Sequence, residues 1–272
     1  MRIANQLILV TGASSGIGAA TARAMAARGG RVLLLARNAV ALQQVAAQID
    51  GAGGWAQVHP VDLTIPAAVA STTDQILTGA GPPDVIVNNA GAGRWLTVPE
   101  TEPAEAVQMM AVPYFAAFFV TRAFLPAMLA RDSGQIVNVT SPAAFVPWPG
   151  ATGYTATRWA MRGFTKALQA DLHHTGLTVT LLTAGVTDTP YFEHNPGTAE
   201  RLPAISRLFP TLTAEQVAAA IIAAVEQGQT TVTIPTRLRL ALWAHRLVPG
   251  LIEWLTIHSG WRLAEESRPR NR

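Results

Sequence analysis

The 272-residue sequence contains no cysteine, and only 14% of its residues are charged. Without cysteine there is neither a disulfide framework nor a thiolate metal site, which is typical of a reducing compartment. The six histidines show no metal-ligand spacing, so we expect no metal. Hydrophobic residues make up 49% of the chain, which excludes disordered and fibrous proteins and is sufficient for a sizeable core.

The N-terminal region lacks the features of a secretory signal. An apolar run begins at Leu7 without a basic region before it or a small-residue cleavage site after it. The segment Met109–Ala130 is about as long as a bilayer span, but it contains Pro113, Arg122 and Pro126. We therefore expect this helix to be buried or to lie at an interface, and the protein to be cytoplasmic.

Lysine is almost absent: Lys166 is one of 20 basic residues, and the others are arginines. Seven arginines and three glutamates give residues 237–272 a net charge of +4, whereas residues 1–236 carry −1. The basic excess therefore belongs to the tail. Because no groove-reading motif accompanies it, we expect no nucleic-acid partner.

Short apolar runs alternate with longer helix-like segments over residues 1–236. Helices are predicted near 17–28, 39–50, 66–78, 103–130, 153–175 and 213–228. The strand-like runs are Leu7–Thr11, Arg31–Ala36, Ala56–Val61, Asp84–Asn88, Gln135–Thr140, Thr178–Thr183 and Thr230–Ile234. Unbroken apolar strands separated by helices indicate a parallel sheet covered on both faces. We predict a single α/β domain with a doubly wound, Rossmann-like parallel sheet, followed by a helical extension over 237–272.

A glycine-rich turn follows the first strand and opens the first helix, with the sequence Thr11-Gly12-Ala13-Ser14-Ser15-Gly16-Ile17-Gly18. Glycines permit a tight turn and close approach to a pyrophosphate, which the free N–H groups and positive end of the helix stabilise. Glycines also serve turns and close packing. In this position, between a first strand and a helix, the pattern predicts nucleotide binding.

The second strand ends at Ala36, where an NAD site would place a carboxylate for the ribose 2′-hydroxyl, and Arg37 follows. A cation beside a neutral residue favours a 2′-phosphate, with Ser14 and Ser15 as further donors. We therefore predict NADP(H) in preference to NAD(H). The alternative is that Arg37 is a solvated loop charge.

Three motifs together resemble the short-chain dehydrogenase/reductase family over residues 5–236: the glycine-rich turn, Asp62-Leu63, and Asn88-Asn89-Ala90-Gly91. The resemblance implies that Asp62 and Leu63 lie along the adenine, and that Asn89, Ala90 and Gly91 form the loop beneath the adenosine ribose. It also implies that the loop Gly185–Thr189, with Gly185, Val186 and Thr189, contacts the nicotinamide amide.

In this family a serine 13 residues before a tyrosine binds the carbonyl oxygen and the tyrosine exchanges a proton with it; Ser141 and Tyr154 have that spacing. Hydride arriving at a carbonyl carbon builds negative charge on oxygen, which needs a donor and a proton. The resemblance implies interconversion of a carbonyl and an alcohol. The structural alternatives are a turn cap for Ser141 and a packed, hydrogen-bonded tyrosine for Tyr154.

Three positions depart from the family pattern. The expected lysine is Arg158, whose fork can hold the nicotinamide ribose but which cannot release a proton. Pro113 replaces an asparagine of the long helix and frees the carbonyl of Met109, so we expect a kink with room for a water but no side-chain relay. Ala184-Gly185 replaces Pro-Gly. A second hypothesis therefore stays open, a dinucleotide-binding protein with lost or non-redox activity.

Residues 190–212 fall where the family places a variable substrate lid. His194 in this segment is more typical of a surface residue than of a second acid or base. An apolar pocket, and hence an apolar carbonyl or alcohol substrate, is predicted from Tyr191, Phe192, Leu202, Ile205, Leu208, Phe209, Trp95 and Trp148. The alternative is that these side chains pack the lid onto the body.

Residues 237–262 resemble two amphipathic helices with a basic face, broken at Pro249-Gly250. Three roles fit them: packing on a partner subunit, covering the active site, or peripheral contact with an anionic membrane surface. The segment 265–272 is expected to be a solvated terminus. The helices 103–130 and 153–175 resemble the family's subunit-contact helices, which implies a homodimer or homotetramer.

Overall fold

A computed structural model describes residues 1–262 and contains nine strands. Seven form one sheet in the lateral order β3-β2-β1-β4-β5-β6-β9, with every neighbouring pair parallel, and β7 and β8 form a short parallel ribbon. The strands are β1 (Leu7–Thr11), β2 (Arg31–Ala36), β3 (Trp55–Pro60), β4 (Val85–Asn88), β5 (Gly134–Thr140), β6 (Leu177–Ala184), β7 (Thr187–Asp188), β8 (Leu212–Thr213) and β9 (Thr231–Ile234).

Helices cover both faces of the sheet. One core packs under α1, α2 and α8, and the other under α3, α5 and α6, so the predicted doubly wound architecture is confirmed. The helices are α1 (Gly16–Ala26), α2 (Ala39–Gly51), α3 (Pro66–Gly79), α4 (Pro103–Met110), α5 (Ala116–Arg131), α6 (Thr152–Asp171), α7 (Tyr191–His194), α8 (Ala214–Gln227), α9 (Thr236–Leu247) and α10 (Pro249–Ser259).

One helix is shorter than predicted. The segment 153–175 was expected to be helical throughout, but α6 ends at Asp171. The chain turns there because the Thr175 hydroxyl donates to the Leu172 carbonyl at 2.8 Å, and the Gly176 amide donates to the Asp132 carboxylate at 2.6 Å. These bonds satisfy backbone groups outside the helix and direct the chain into β6.

The predicted distortion of the long helix is present at Pro113. A single π-helical turn, Ala111–Phe115, joins α4 to α5. The Met109 carbonyl, which a proline at this position deprives of its helical donor, accepts a hydrogen bond from the Thr157 hydroxyl at 3.0 Å. The distortion therefore links the long helix directly to α6, the helix that carries Tyr154.

The continuous helical segment Pro103–Arg131 is, within residues 1–262, the one stretch long and apolar enough to span a membrane by length and composition alone. One side of it packs on the sheet through Val120, Phe124 and Met128, which are fully buried. Core helices of this kind satisfy the same criteria of length and hydropathy, so the expected burial is confirmed for this side.

The strand order reverses between β1 and β4, where crevices for ligands form at the carboxyl ends of parallel strands. Hydrogen bonds join the two strand ends there. The Thr11 hydroxyl oxygen accepts from the backbone amides of Asn89 and Ala90, both at 3.0 Å, and the Asn89 side chain donates to the Thr11 carbonyl at 3.2 Å. The glycine-rich turn and the loop after β4 are therefore held side by side.

The C-terminal extension forms the predicted pair of helices, and α9 packs against α10 as a hairpin. Leu238 and Leu242 of α9 are buried against Phe145, Val146 and Leu181 of the main domain. The predicted solvated terminus, 265–272, lies outside the described residues.

Candidate active site

A cleft of about 580 Å³ opens at the carboxyl ends of the central strands, within the size range of small-molecule sites. Among the predicted site residues, only Gly18 is absent from its walls. Those that line it are Gly12, Ser14, Ser15, Gly16, Ile17, Arg37, Asp62, Leu63, Asn89, Ala90, Gly91, Ser141, Tyr154, Arg158, Gly185, Val186 and Thr189. The structure thus brings the predicted cofactor and catalytic residues into one cavity.

The glycine-rich turn needs glycine for two different reasons. Gly12 has a φ of +65°, which favours glycine, and it faces the cleft. Gly18 lies behind the turn, where a Cβ would clash with the Gly12 carbonyl. Gly18 therefore acts through the close packing of α1 on the turn, and the amino end of α1 remains free to face an anion.

The end of β2 carries a cation and no carboxylate. Arg37 is exposed beside Ala36, and Asp62 is the one carboxylate among the described residues that line the cleft. The Asp62 carboxylate accepts from the Thr64 amide at 3.0 Å and from the Thr64 hydroxyl at 2.7 Å. These hydrogen bonds, with a smaller contribution from Arg37, lower the pKa of Asp62.

Ser141 directly follows β5, where it both caps a turn and lines the cleft. Its hydroxyl oxygen accepts from the Ala143 amide at 3.2 Å and so caps the turn Pro142–Ala144, as the structural alternative predicts. Ser141 nevertheless lines the cleft. Because the Ala143 contact uses an oxygen lone pair, the Ser141 proton is free for a donor bond to a ligand.

Tyr154 lies in the first turn of α6 and is 7% exposed. Its ring packs against Trp95 and Tyr191, with centroid distances of 5.3 and 6.5 Å. These contacts fix the ring at the wall of the cleft. Tyr154 therefore lines the same cleft as Ser141.

Arg158 follows one helical turn after Tyr154 and is 8% exposed. Its guanidinium carbon lies 4.7 Å from the centroid of the Tyr154 ring, and no carboxylate within residues 1–262 forms an ion pair with it. The Nε atom is buried without a partner, and a Cβ on Gly91 would lie 3.1 Å from Nη2. A buried cation without an acid is costly, so this guanidinium is suited to bind polar or anionic groups of a ligand. Lys166 is exposed and bonded to Gln169, away from the cleft.

The lid is fastened to the loop after β4 through Gly93. The Tyr191 hydroxyl donates to the Gly93 carbonyl at 2.7 Å, and the Gly93 amide donates to the Asn195 side chain at 3.1 Å. The Asn195 side chain in turn donates to the Tyr191 carbonyl at 2.7 Å. Burial raises the pKa of Tyr191, so this second tyrosine of the cleft stays protonated and serves as a clamp.

The predicted apolar lining is divided between two cavities. Trp95, Trp148, Tyr191 and Phe192 line the main cleft, whereas Ile205 and Phe209 line a second, smaller cavity. Leu202 packs against the cluster around Tyr154. The prediction for Leu208 was wrong: it lines neither cavity and is 65% exposed, because the turn Ala204–Leu208 directs it to solvent.

Several residues of the cleft were not predicted from the sequence. Val112 enters the wall through the π turn, and Asn195 is buried beneath the lid. No motif marks either residue, since each depends on a contact between distant segments. His194 is exposed, as expected, and lies at the rim. Among residues 1–262 there is no group of three or more histidines or acids that could hold a metal.

An ion pair anchors the far end of the lid. Arg201 donates two hydrogen bonds to Glu100, each of 2.7 Å, and lies over the Trp261 ring at 4.2 Å. The bonds from Arg201 lower the pKa of Glu100 from 4.5 to about 2. The lid is thus tied to the segment before α4 and to the end of the hairpin.

This ion pair predicts a pH dependence of stability. Because the pKa of Glu100 is lowered on folding, its contribution is present above pH 4.5 and is lost as the pH falls towards about 2. The pair is partly exposed, so we expect no more than about 1 kcal/mol. Thermal unfolding midpoints of the wild type and Glu100→Gln should differ at neutral pH and converge in acid. A constant difference over this range would contradict the assignment.

The comparison with known families decides the family of the chain. A model described as "short chain dehydrogenase" matches residues 6–199. The chain belongs to the short-chain dehydrogenase/reductase family. The resemblance suggested by the sequence motifs is therefore confirmed.

Other members of the family are similar over most of the chain. An uncharacterised oxidoreductase of Mycobacterium tuberculosis is 35% identical over 80% of this chain, which spans only 63% of that protein. A fatty acyl-CoA reductase of Acinetobacter baylyi is 31% identical over 92% of this chain and 82% of its own length. A metagenomic short-chain oxidoreductase solved with NADP is 31% identical, with a TM-score of 0.71 over 86% of this chain and 96% of that one.

Proposed function

We propose that this short-chain dehydrogenase/reductase is an NADP(H)-dependent oxidoreductase that interconverts a carbonyl and an alcohol on an apolar substrate. The observation that carries the proposal is that Ser141, Tyr154 and Arg158 line the same cleft as the glycine-rich turn. The direct experiment is to follow NADPH consumption with a panel of aliphatic and aromatic aldehydes and ketones. The alternative hypothesis, binding without redox chemistry, predicts no consumption with any of them.

The residues of the cleft fit a dinucleotide. Gly12 and Gly16 both have positive φ, and the backbone between β1 and α1 is open to a pyrophosphate. Arg158 lines the cleft with its Nη2 atom against Gly91, and its guanidinium suits the hydroxyls of the nicotinamide ribose. When bound, NADPH supplies the hydride.

The chain's own residues then handle the oxygen of the substrate. Ser141 donates its free proton to the carbonyl oxygen and orients it, while Tyr154 provides the proton as charge develops there. Arg158, stacked on the Tyr154 ring, stabilises the tyrosinate that remains and holds the ribose. Because a guanidinium does not release its proton, Arg158 acts by charge and position only.

The preference for NADP(H) is part of the proposal and rests on Arg37. Solved members of the family that resemble this chain include a complex with NAD as well as one with NADP. Here the one carboxylate of the described cleft walls, Asp62, is bonded to Thr64, and Arg37 is exposed beside Ala36. A 2′-phosphate would therefore meet a cation and no free carboxylate.

Arg37→Ala is expected to weaken NADPH binding about 10- to 100-fold, the range for a hydrogen bond between charged groups, and to leave NADH binding nearly unchanged. Dissociation constants for both dinucleotides, measured by fluorescence titration, test this prediction. Arg28→Ala is the matched control, because Arg28 is exposed away from the cleft. An equal loss for NADPH and NADH would contradict the assigned role of Arg37.

An apolar substrate is favoured by the aromatic walls of the cleft and by one relative. Trp95 and Trp148 lie 5.1 Å apart between centroids, beside Tyr154. Both rings line the cleft and give this part of it an apolar wall. The name of the Acinetobacter baylyi relative, fatty acyl-CoA reductase, is consistent with an aliphatic substrate.

We also propose that the protein forms a homodimer or homotetramer through α5 and α6. Phe118 on α5 and Trp159 on α6 are 38% and 47% exposed, and Phe115, in the π turn just before α5, is 39% exposed. Phe118→Glu should lower the molar mass measured by light scattering, because it places a charge in an apolar contact. Val40→Glu, an exposed position on α2, is the control and should leave the mass unchanged. A monomeric wild type, or an unchanged mass for Phe118→Glu, would contradict this proposal.

A further inference from the structure

A second cavity, of about 90 Å³, lies between the lid and the C-terminal hairpin. It shares Pro142, Trp148, Gly185 and Val186 with the main cleft, so the two cavities have a common wall. The rest of its wall comes mainly from Ile205 and Phe209 of the lid and from Leu238, Ala241, Leu242 and Ile252 of the hairpin.

This cavity has little to offer a polar ligand. Of its lining side chains only Ser206 and Thr256 carry hydroxyls, and the Thr256 hydroxyl already donates to the Ile252 carbonyl at 2.8 Å. Cavities lined by aliphatic and aromatic side chains stay dry and bind apolar molecules. Each methylene group that enters such a cavity gains the free energy of leaving water.

We propose that the second cavity binds the aliphatic chain of the substrate. The proposal rests on the proposed function, since it requires the reacting carbonyl to lie at Ser141 and Tyr154. Adjacent aromatic rings connect the two places: Tyr154 contacts Trp95, and Trp95 contacts Trp148, which belongs to both cavities. The proposal places a linear alkyl group beside Trp148, with its far end against Leu238 and Leu242 of α9.

Binding of unbranched primary alcohols from butanol to decanol, measured by calorimetry on the full chain with NADPH present, tests this proposal without turnover, because an alcohol and NADPH do not react with each other. The affinity should rise about fourfold per methylene until the chain fills the cavity, and then level off. In Ala241→Phe, which fills the cavity, it should level off at a shorter chain. In Leu242→Ala, which enlarges it, it should level off at a longer one.

The matched control is Ala244→Phe, on the same helix but outside the cavity wall, which should behave as the wild type. A series that does not depend on chain length, or one that levels off at the same length in all variants, would overturn the proposal. If the length dependence holds and no carbonyl is reduced, the failure lies with the proposed redox function and not with the chain-binding cavity.

The outer side of the hairpin carries a second, independent feature, which we name the hairpin face. Six large apolar side chains point to solvent there, each 48–64% exposed: Leu240, Trp243, Leu247, Leu251, Trp254 and Ile257. The first of these helices, α9, also buries Leu238 and Leu242 against the domain, so it carries apolar side chains on both sides. Six large exposed apolar side chains on one helical hairpin indicate an interaction surface.

The charges around the hairpin face are mostly positive. Arg237, Arg239, Arg246 and Arg262 are exposed, whereas the one acid of the hairpin, Glu253, is bonded to His245 at 3.2 Å. Exposed tryptophans and leucines flanked by arginines suit an anionic lipid surface, where the rings enter the interface and the cations meet headgroups. A two-fold contact with a second copy would bring the same arginines together, which disfavours that occupant.

We infer that the hairpin face docks on an anionic phospholipid surface. The full chain should sediment with vesicles of phosphatidylcholine and phosphatidylglycerol, and weakly with phosphatidylcholine alone. Arg239→Ala should lower the partition coefficient about fivefold, the effect of one basic residue near the surface. Trp243→Ser should lower it at least as much, while Trp55→Ser, a control at a tryptophan that is 37% exposed on β3, should not.

Two outcomes would overturn this inference. One is failure to sediment with the anionic vesicles, or equal binding to both vesicle types. The other is a dimer in solution that Trp243→Ser dissociates, since the hairpin face would then be occupied by a second copy.

Discussion

Tyr154→Phe is expected to lower kcat for carbonyl reduction by about 10²- to 10⁴-fold, the usual contribution of a positioned proton donor. The removed hydroxyl belongs to a ring fixed by Trp95 and Arg158, so the variant keeps the shape of the cleft. NADPH binding should therefore persist. A loss of turnover with unchanged NADPH affinity identifies Tyr154 as the group that exchanges the proton.

The sequence contains three tyrosines, which provides a matched control. Tyr114 packs in an aromatic cluster with Phe115, Phe118 and Phe164 and does not line the cleft. Tyr114→Phe should therefore retain the activity of the wild type. If Tyr154→Phe kept that activity too, the assigned proton donor would be wrong.

Arg158→Met is expected to lower kcat/KM by about 10²-fold or more and to weaken NADPH binding. It removes both the charged hydrogen bonds to the ribose and the cation that stabilises the tyrosinate. Arg158→Lys should restore much of this loss, because an ammonium group at the same position keeps the charge. Steady-state kinetics and dinucleotide titrations of the two variants test the prediction.

A loss caused only by misfolding would appear in the thermal midpoint, so unfolding of each variant is measured alongside. A buried arginine without an acid partner is itself costly, and its removal need not destabilise the fold. Wild-type kinetics and binding in Arg158→Met would show that the guanidinium has no part in the site.

Much of the fold could be predicted because its signals are local. Each main-sheet strand is an apolar run bounded by turn residues, and the observed ends lie within one residue of the predicted ones. The glycine-rich turn and Asn88-Asn89-Ala90-Gly91 are each a continuous stretch of sequence that follows a strand. The parallel topology alone therefore predicts that the two motifs lie side by side at one edge of the sheet. The structure adds the hydrogen bonds from Thr11 that join them.

What could not be predicted depends on contacts between distant segments. Pro113 predicts a distorted helix, but the donor that meets the Met109 carbonyl is Thr157, on another helix. Likewise, the buried Asn195 belongs to a clamp whose other half is Gly93. Composition predicts an apolar lid, but it does not predict which side chains face inward. Leu208 faces solvent while Phe209 lines the second cavity, and this depends on the direction of one short turn.

The scarcity of lysine bears on the chemistry at one position. Arginine accounts for all but one of the basic residues, and this preference extends to position 158 of α6, where the family has lysine. The described structure places that guanidinium against Tyr154 with no competing acid. In the proposed function, Arg158 therefore supports catalysis by charge and position, and Pro113 provides no side chain for a proton relay.

The most direct test sets NADPH binding beside single-turnover hydride transfer to a panel of aliphatic carbonyls, for the wild type and for the double variant Arg158→Lys with Pro113→Asn. We expect tight binding and measurable hydride transfer by the wild type, with at most a modest gain in the double variant. Tight binding without hydride transfer in the wild type, together with a large gain only in the double variant, would contradict it.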